Sequence, residues 1–303
     1  MTDRRRLGGI RAVTYSVPDI AAMERAYCDV LEYCVADRGT VSAGRAVFWN
    51  APEAAGRPYV SLEPASGERV PLRFIETPHV EPWRALTTHG WNATEIIVED
   101  VNALAERIEG SPFRRIGGPR PLTNYPKISA MQVIGPAGEC VYLTHAPPGC
   151  GMNLGPAKSF VGRVFSVVAG GPDIDAMNAA YAARFDNHVR PPRPTPIGII
   201  NEANGLPAEH KTDLGLVEID WGTVIELDGY ADAMGPRPTR PRDLPPGMAI
   251  VTLDVRAGTD SYDPDVLAAL PLSAPPGKGL SLWSGAAGEL IELAASDLAK
   301  EPA

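Results

Sequence analysis

Along this chain, short runs of alternating hydrophobic and polar positions give way to helical stripes and then resume, and the cycle occurs four times. Residues 10–17 alternate bulky with small or polar side chains, the period of two expected of a half-buried strand. Asp19 stands where a helix cap would, and Ile20, Met23, Tyr27, Val30 and Leu31 fall on one face of the helix that follows. Residues 34–39, 45–50, 59–63 and 72–76 read as short strands separated by Gly, Pro and Ser clusters. The first unit is thus a strand, a helix and a small meander.

The same order restarts at Trp91. Residues 93–98 predict a strand, and Val101, Leu104, Ala105 and Ile108 supply a helical stripe. A connection with little strand signal leads to strands at 131–134 and 139–144. The linker at 146–158, A-P-P-G-C-G-M-N-L-G-P-A-K, is dense in residues that interrupt regular structure. A third unit has a strand at 161–168, a helix with Ile174, Met177, Tyr181 and Phe185 on one face, a Pro-rich excursion over 188–212, and strands at 215–220 and 223–228. A second basic, Pro-rich connection at 235–247 opens a fourth unit. Its strand at 249–255 is followed by a short helix with Val266, Leu267 and Leu270, then by strands at 279–283 and 289–293.

Two segments recur. P-D-I-A-A-M-E-R-A-Y at 18–27 returns as P-D-I-D-A-M-N-A-A-Y at 172–181, an offset of 154, and G-P-A-G-E-C-V-Y-L at 135–143 returns as G-A-A-G-E-L-I-E-L at 285–293, an offset of 150. Both offsets are close to half of the 303 residues, so the chain reads as a tandem duplication. The expected domains are 1–148, with modules at about 8–80 and 88–148, and 158–303, with modules at about 158–232 and 247–297.

Bulk properties narrow the function. A hydrophobic fraction of 44% with 21% charged residues is that of a globular protein, and no apolar run approaches the roughly 20 residues of a membrane span. No apolar signal core follows the opening M-T-D-R-R-R, so the expected location is cytoplasmic. The net charge of −9 opposes nucleic-acid binding, which depends on clustered Lys and Arg. Cys28, Cys34, Cys140 and Cys150 show no metal-binding spacing and read as free thiols.

A repeated strand, helix and three-strand meander, with the unit ending G-x-x-G-E-x-I-E-L, resembles the vicinal oxygen chelate superfamily: glyoxalase I, bleomycin-resistance proteins and extradiol dioxygenases. The resemblance implies an α+β fold, with four βαβββ modules paired into two cup-like, barrel-like curved mixed sheets and flanking helices. It also implies that ligands of a divalent metal come from the first and last strands of each module. The matching first-strand positions are Ala12, Ala93, Arg163 and Ile250, and the last-strand positions are Arg73, Tyr142, Glu226 and Glu292. No cofactor is expected from this set. If a metal is present, Glu292 and Glu226 are its candidate ligands.

Which modules pair is open at this stage. Taken half by half, Glu226 and Glu292 point into one cavity, where mutual repulsion and lost hydration would raise a carboxyl pKa into the range for proton transfer. Glu292 is then the expected general base and Glu226 its partner. Arg163 would bind an anionic oxygen and Trp283 would line the cavity. Arg73 and Tyr142 form a second candidate substrate-binding pair, with simple packing of Arg on Tyr as the competing reading. The expected function is metal-independent proton transfer, by an isomerase or lyase, on a small oxygenated carbonyl, carboxylate or aromatic metabolite. The alternatives are a ligand-sequestering protein of the bleomycin-resistance kind and a metal-dependent glyoxalase or ring-cleaving dioxygenase with relocated ligands. The expected partner is a small-molecule substrate, with no nucleic acid or membrane, and both a single chain and a homodimer remain open.

Overall fold

The computed structural model describes residues 5–295, apart from residues 81, 82, 124, 153, 221, 232, 233, 257–270 and 278. The first unit comprises β1 (Arg6–Val17), α1 (Ile20–Leu31), β2 (Tyr33–Thr40), α2 (Ala43–Phe48), β3 (Pro58–Pro64) and β4 (Leu72–Glu76). The second comprises β5 (Gly90–Val98), α3 (Val101–Ile108), β6 (Arg114–Pro121), β7 (Ser129–Ile134) and β8 (Cys140–His145). The third comprises β9 (Val161–Gly171), α4 (Ile174–Arg184), β10 (Val189–Thr195), α5 (Gly198–Ala203), β11 (Thr212–Ile219) and β12 (Thr223–Gly229). The fourth comprises β13 (Gly247–Arg256), β14 (Leu280–Ser284) and β15 (Leu290–Ala295). The short helix expected around Val266, Leu267 and Leu270 lies outside the described residues.

Local chemistry accounts for most boundaries. Asp19, Asp100 and Asp173 each accept a backbone N–H of the following helical turn at 2.8–2.9 Å, so α1, α3 and α4 begin at capped positions. Residues 45–50 depart from expectation: they continue a helix capped by Ser42, not a strand. Their run R-A-V-F-W satisfies a helical stripe as well as an alternating one, and Arg45, Ala46 and Trp49 are the members buried. The other departures are β6 and β10, strands formed where Gly and Pro had argued for loops. Both lie at the edges of their sheet, where a proline's missing N–H leaves no internal ladder bond unmade.

Strand order decides which modules share a cup. One sheet has seven strands, in the order β14-β15-β13-β1-β4-β3-β2, and the other has eight, in the order β10-β11-β12-β9-β5-β8-β7-β6. Unit one therefore joins unit four through antiparallel β1 and β13, and unit two joins unit three through antiparallel β5 and β9. Within each unit the first and last strands run parallel. Pairing half by half is thus corrected: each half contributes one module to each sheet. The sheets are open, with free edge strands, so neither is a closed barrel.

The two sheets are stitched together in the core, each time by a contact within one half. Tyr27 of the first recurring segment donates to Glu139 of the second at 3.1 Å, joining α1 to the turn before β8. Its counterpart Tyr181 faces Glu289 in the same way. Each Glu turns back to accept the backbone N–H two residues earlier, at 2.9 Å. The G-x-x-G-E motif follows from this: a Cβ on Gly135 or Gly285 would lie 1.8 Å from the Glu carboxylate. Gly138 and Gly288 sit at φ +82° and +81°, where a side chain would strain the backbone. No helix among the described residues is long and apolar enough to cross a membrane.

Candidate functional site

The ladders show which side chains face into each cup. On the seven-stranded sheet Arg73 lies beside Thr14, and Glu292 beside Thr252. On the eight-stranded sheet Tyr142 lies beside Glu95, Glu226 beside Val168, and Asp228 beside Gly170. Glu226 and Glu292 therefore occupy different cups and cannot act as a pair, and Arg73 and Tyr142 are separated in the same way. The first-strand residues in register with the last-strand positions are Thr14, Glu95, Val168 and Thr252, displacing the expected Ala12, Ala93, Arg163 and Ile250.

The first cup is sealed and neutralised. Helix α2 lies in the β2–β3 connection and carries Arg45 and Trp49 inward. Arg45 Nη1 reaches both Glu292 oxygens, at 3.3 and 3.2 Å, and Trp49 Nε1 donates to Glu292 at 2.8 Å. Arg45 is 1% exposed and Glu292 3%. Burial pulls the Arg73 guanidinium down to about 10, a change that the Glu292 carboxylate opposes and the Arg45 charge reinforces. Val41, Ala46, Tyr59, Leu244, Ile250 and Leu272 pack into the same cluster as Trp49. A carboxylate held by an arginine and an indole in this way is poorly placed to accept a proton from a substrate.

The second cup has the opposite character. Asp228 is fully buried, and neither of its oxygens has a hydrogen-bond partner. Glu226 and Glu95 are half-buried. Burial raises the Glu226 carboxyl far above its ordinary value, with Asp228 and then Glu95 adding to the rise. Burial likewise raises Asp228, and it takes Glu95 to about 7 despite a 2.6 Å hydrogen bond from Thr144 Oγ1. Tyr142 and Tyr230 feel both Glu226 and Asp228, and their buried hydroxyls also lack partners. The Tyr230 ring lies flat on Gly170, where a Cβ would come within 2.3 Å of it. Helix α5 covers this cup as α2 covers the first, with Ile199 and Ile200 packed among Tyr142, Val168 and Tyr230.

The remaining expected residues lie elsewhere. Arg163 is five residues from Val168 along β9, about 17 Å at the usual strand rise. It donates to the carbonyls of Val164 and Leu154 and pairs with Glu68. Trp283 points into the core, edge-on to Tyr181 and Phe185 at 5.0 and 5.3 Å. A separate cavity of about 390 Å³, lined by His79, Trp83, Arg84 and Arg114 among others, includes none of the expected residues. Sequence reasoning missed Asp228 and Glu95. The alternation in I-E-L-D and A-T-E could have found them, because each lies two residues along the strand from a position already assigned to a cup.

The fold is that of the vicinal oxygen chelate superfamily, in two tandem halves. Glyoxalase I from Zea mays superposes with a TM-score of 0.57 at 15% identity, covering 95% of this chain and 92% of that one. A candidate dioxygenase from Bacillus subtilis gives 0.59 at 12% identity, covering 96% and 86%. At these identities the likeness concerns the fold. No protein-family model matches the sequence, and no curated protein matches it.

The residues present do not fit the divalent metal that the resemblance implied. At the ladder positions the first cup offers Thr14, Arg73, Thr252 and Glu292, with two guanidiniums near the single carboxylate. The second offers Glu95, Tyr142, Val168 and Glu226. Among the described residues no three His, Cys, Asp or Glu side chains converge as a metal ion requires.

Proposed function

We propose that the second cup is the working site and that it transfers a proton on a small oxygenated metabolite, as an isomerase or lyase does. The observation that carries this reading is the group of three carboxyls, Glu226, Asp228 and Glu95, with raised pKa values in one cup that retains partial solvent access. A carboxyl whose proton affinity is raised by burial can both accept a proton and donate it. Glu226 takes the proton from the carbon next to a carbonyl and returns it to a neighbouring atom. Burial, with repulsion from Asp228 added to it, keeps the Glu226 proton affinity high, and Tyr142 donates to an oxygen of the substrate. Glu292 is the counter-ion of Arg45 and has a structural role.

Incubating the protein with carbonyl metabolites in deuterated water, and following the C–H signals by proton NMR, tests the reading. Deuterium incorporation that disappears in Glu226→Gln and persists in Glu292→Gln is the expected result. Exchange that depends on Glu292 and not on Glu226 would overturn it. Tight binding with no exchange would favour a ligand-sequestering role, and activity restored only by an added divalent ion would favour the metal-dependent alternative.

A further inference from the structure

The two covering helices occupy equivalent connections, α2 between β2 and β3 and α5 between β10 and β11. At the offset of 154 that relates the P-D-I segments, Arg45 of α2 corresponds to Ile199 of α5. In the first cup that position supplies the cation that neutralises Glu292. In the second cup it supplies a buried aliphatic side chain packed in one cluster with Tyr142, Val168 and Tyr230. Among the described residues no Arg, Lys or His pairs with Glu226, Asp228 or Glu95. Arg237, the cation felt at Tyr230, donates to the carbonyls of Trp91, Pro246 and Met248 and to Thr88. Arg190, on the edge strand β10, is held by Glu218.

We infer that the second cup selects a small metabolite bearing a positive charge, an ammonium or guanidinium group, which seats between Glu226 and Glu95 and supplies the counter-charge that Arg45 provides in the first cup. The inference rests on the second cup being the working site. Beyond the carboxylates themselves, the buried polar atoms without partners point the same way: both Asp228 oxygens, Gln132 Oε1 and the hydroxyls of Tyr142 and Tyr230. Tyr142 stands on β8, and β9 and β5 lie between that strand and β12, so a phenol that feels Glu226 and Asp228 reaches across the cup toward them. An anionic metabolite would add a further negative charge where none is compensated, at a cost that burial magnifies. A cation removes the repulsion and satisfies several acceptors at once.

Three probes of one shape, benzylammonium, benzyl alcohol and benzoate, separate charge from size. Calorimetric titration of the full chain is expected to show binding of benzylammonium alone. In Glu226→Gln and in Glu95→Gln that affinity should fall about thirtyfold or more, as when one partner of a buried charge pair is removed. Ile199→Arg, which restores the first cup's arrangement, should abolish it, with melting curves confirming that each variant is folded. If Ile199→Arg fails to fold, the two Gln variants decide alone. Equal or tighter binding of benzoate or benzyl alcohol, binding of none of the probes, or undiminished affinity in both Gln variants would overturn the inference, as would stoichiometric calcium, magnesium or manganese in the purified protein. The readout is binding and needs no turnover. Glu226-dependent exchange on a neutral or anionic metabolite, with no benzylammonium binding, would therefore remove the charge inference and leave the proposed function standing. The reverse pattern would remove the proposed function alone.

Discussion

Replacing Glu292 by Gln should destabilise the protein, while replacing Glu226 by Gln should not, although both residues occupy the same position in their modules. In the first cup the substitution removes the charge that compensates Arg45, a side chain 1% exposed with Nη1 at 3.2–3.3 Å from both Glu292 oxygens. Breaking a buried ion pair from one side costs about 3–5 kcal/mol, and because Gln can still accept from Trp49 Nε1 we expect the lower end, about 3 kcal/mol. For a chain of this size that corresponds to a fall of about 6–12 °C in melting temperature. In the second cup the same substitution removes a carboxyl whose ionisation burial, Asp228 and Glu95 all oppose, so Glu226→Gln should melt at or above the temperature of the parent. Differential scanning fluorimetry of the three proteins in one buffer makes the comparison. A Glu292→Gln protein as stable as the parent, or a Glu226→Gln protein that loses as much, would show that charge compensation is not what distinguishes the cups.

Stability should decline as pH rises from about 5 to about 7, because the native state holds protons on Glu95 and Glu139, each raised to about 7 by burial, that the unfolded chain has already released. The slope per group cannot exceed about 1.4 kcal/mol per pH unit. Melting temperatures measured across this range check the sign, and Glu139→Gln should flatten the curve. Gly135→Ala and Gly285→Ala should each cost about 1–3 kcal/mol, since the new methyl meets a buried carboxylate, whereas Gly67→Ala, with open space around it but φ +76°, should cost only the backbone strain of about 1 kcal/mol. Denaturant titrations compare the three. Arg237→Met removes a half-buried donor set that ties β5 to the start of β13, and should cost about 2–3 kcal/mol by the same assay.

Much of the fold was legible because its signals are local. Strand alternation, the apolar stripes of α1, α3 and α4, and the Asp19 cap arise from contacts within a few residues, so they can be read from neighbouring letters. Where local patterns were degenerate the reading failed. The R-A-V-F-W run fits a strand or a helix, and Ser42 capping decides for the helix. Prolines argued against β10, but an edge strand tolerates them.

The site was legible one strand at a time and not as a constellation. Glu226 and Glu292 were each read as lying on the last strand of a module, and β12 and β15 carry them. Their meeting in one cavity was conditional on neighbours in sequence being neighbours in the sheet, which the strand order does not bear out. Every module presents the same kind of apolar first strand at its seam, so alternation cannot tell β1 whether to pair with β5 or β13; packing of the whole chain chose β13. Burial then sorted the carboxylates. The sequence alone determined the duplication, the modules and which last strands carry acids, because these depend on periodicity and capping. Tertiary structure decided that one acid meets Arg45 while the other meets Asp228 and Glu95, because charge compensation depends on which side chains long-range pairing brings into the same cup.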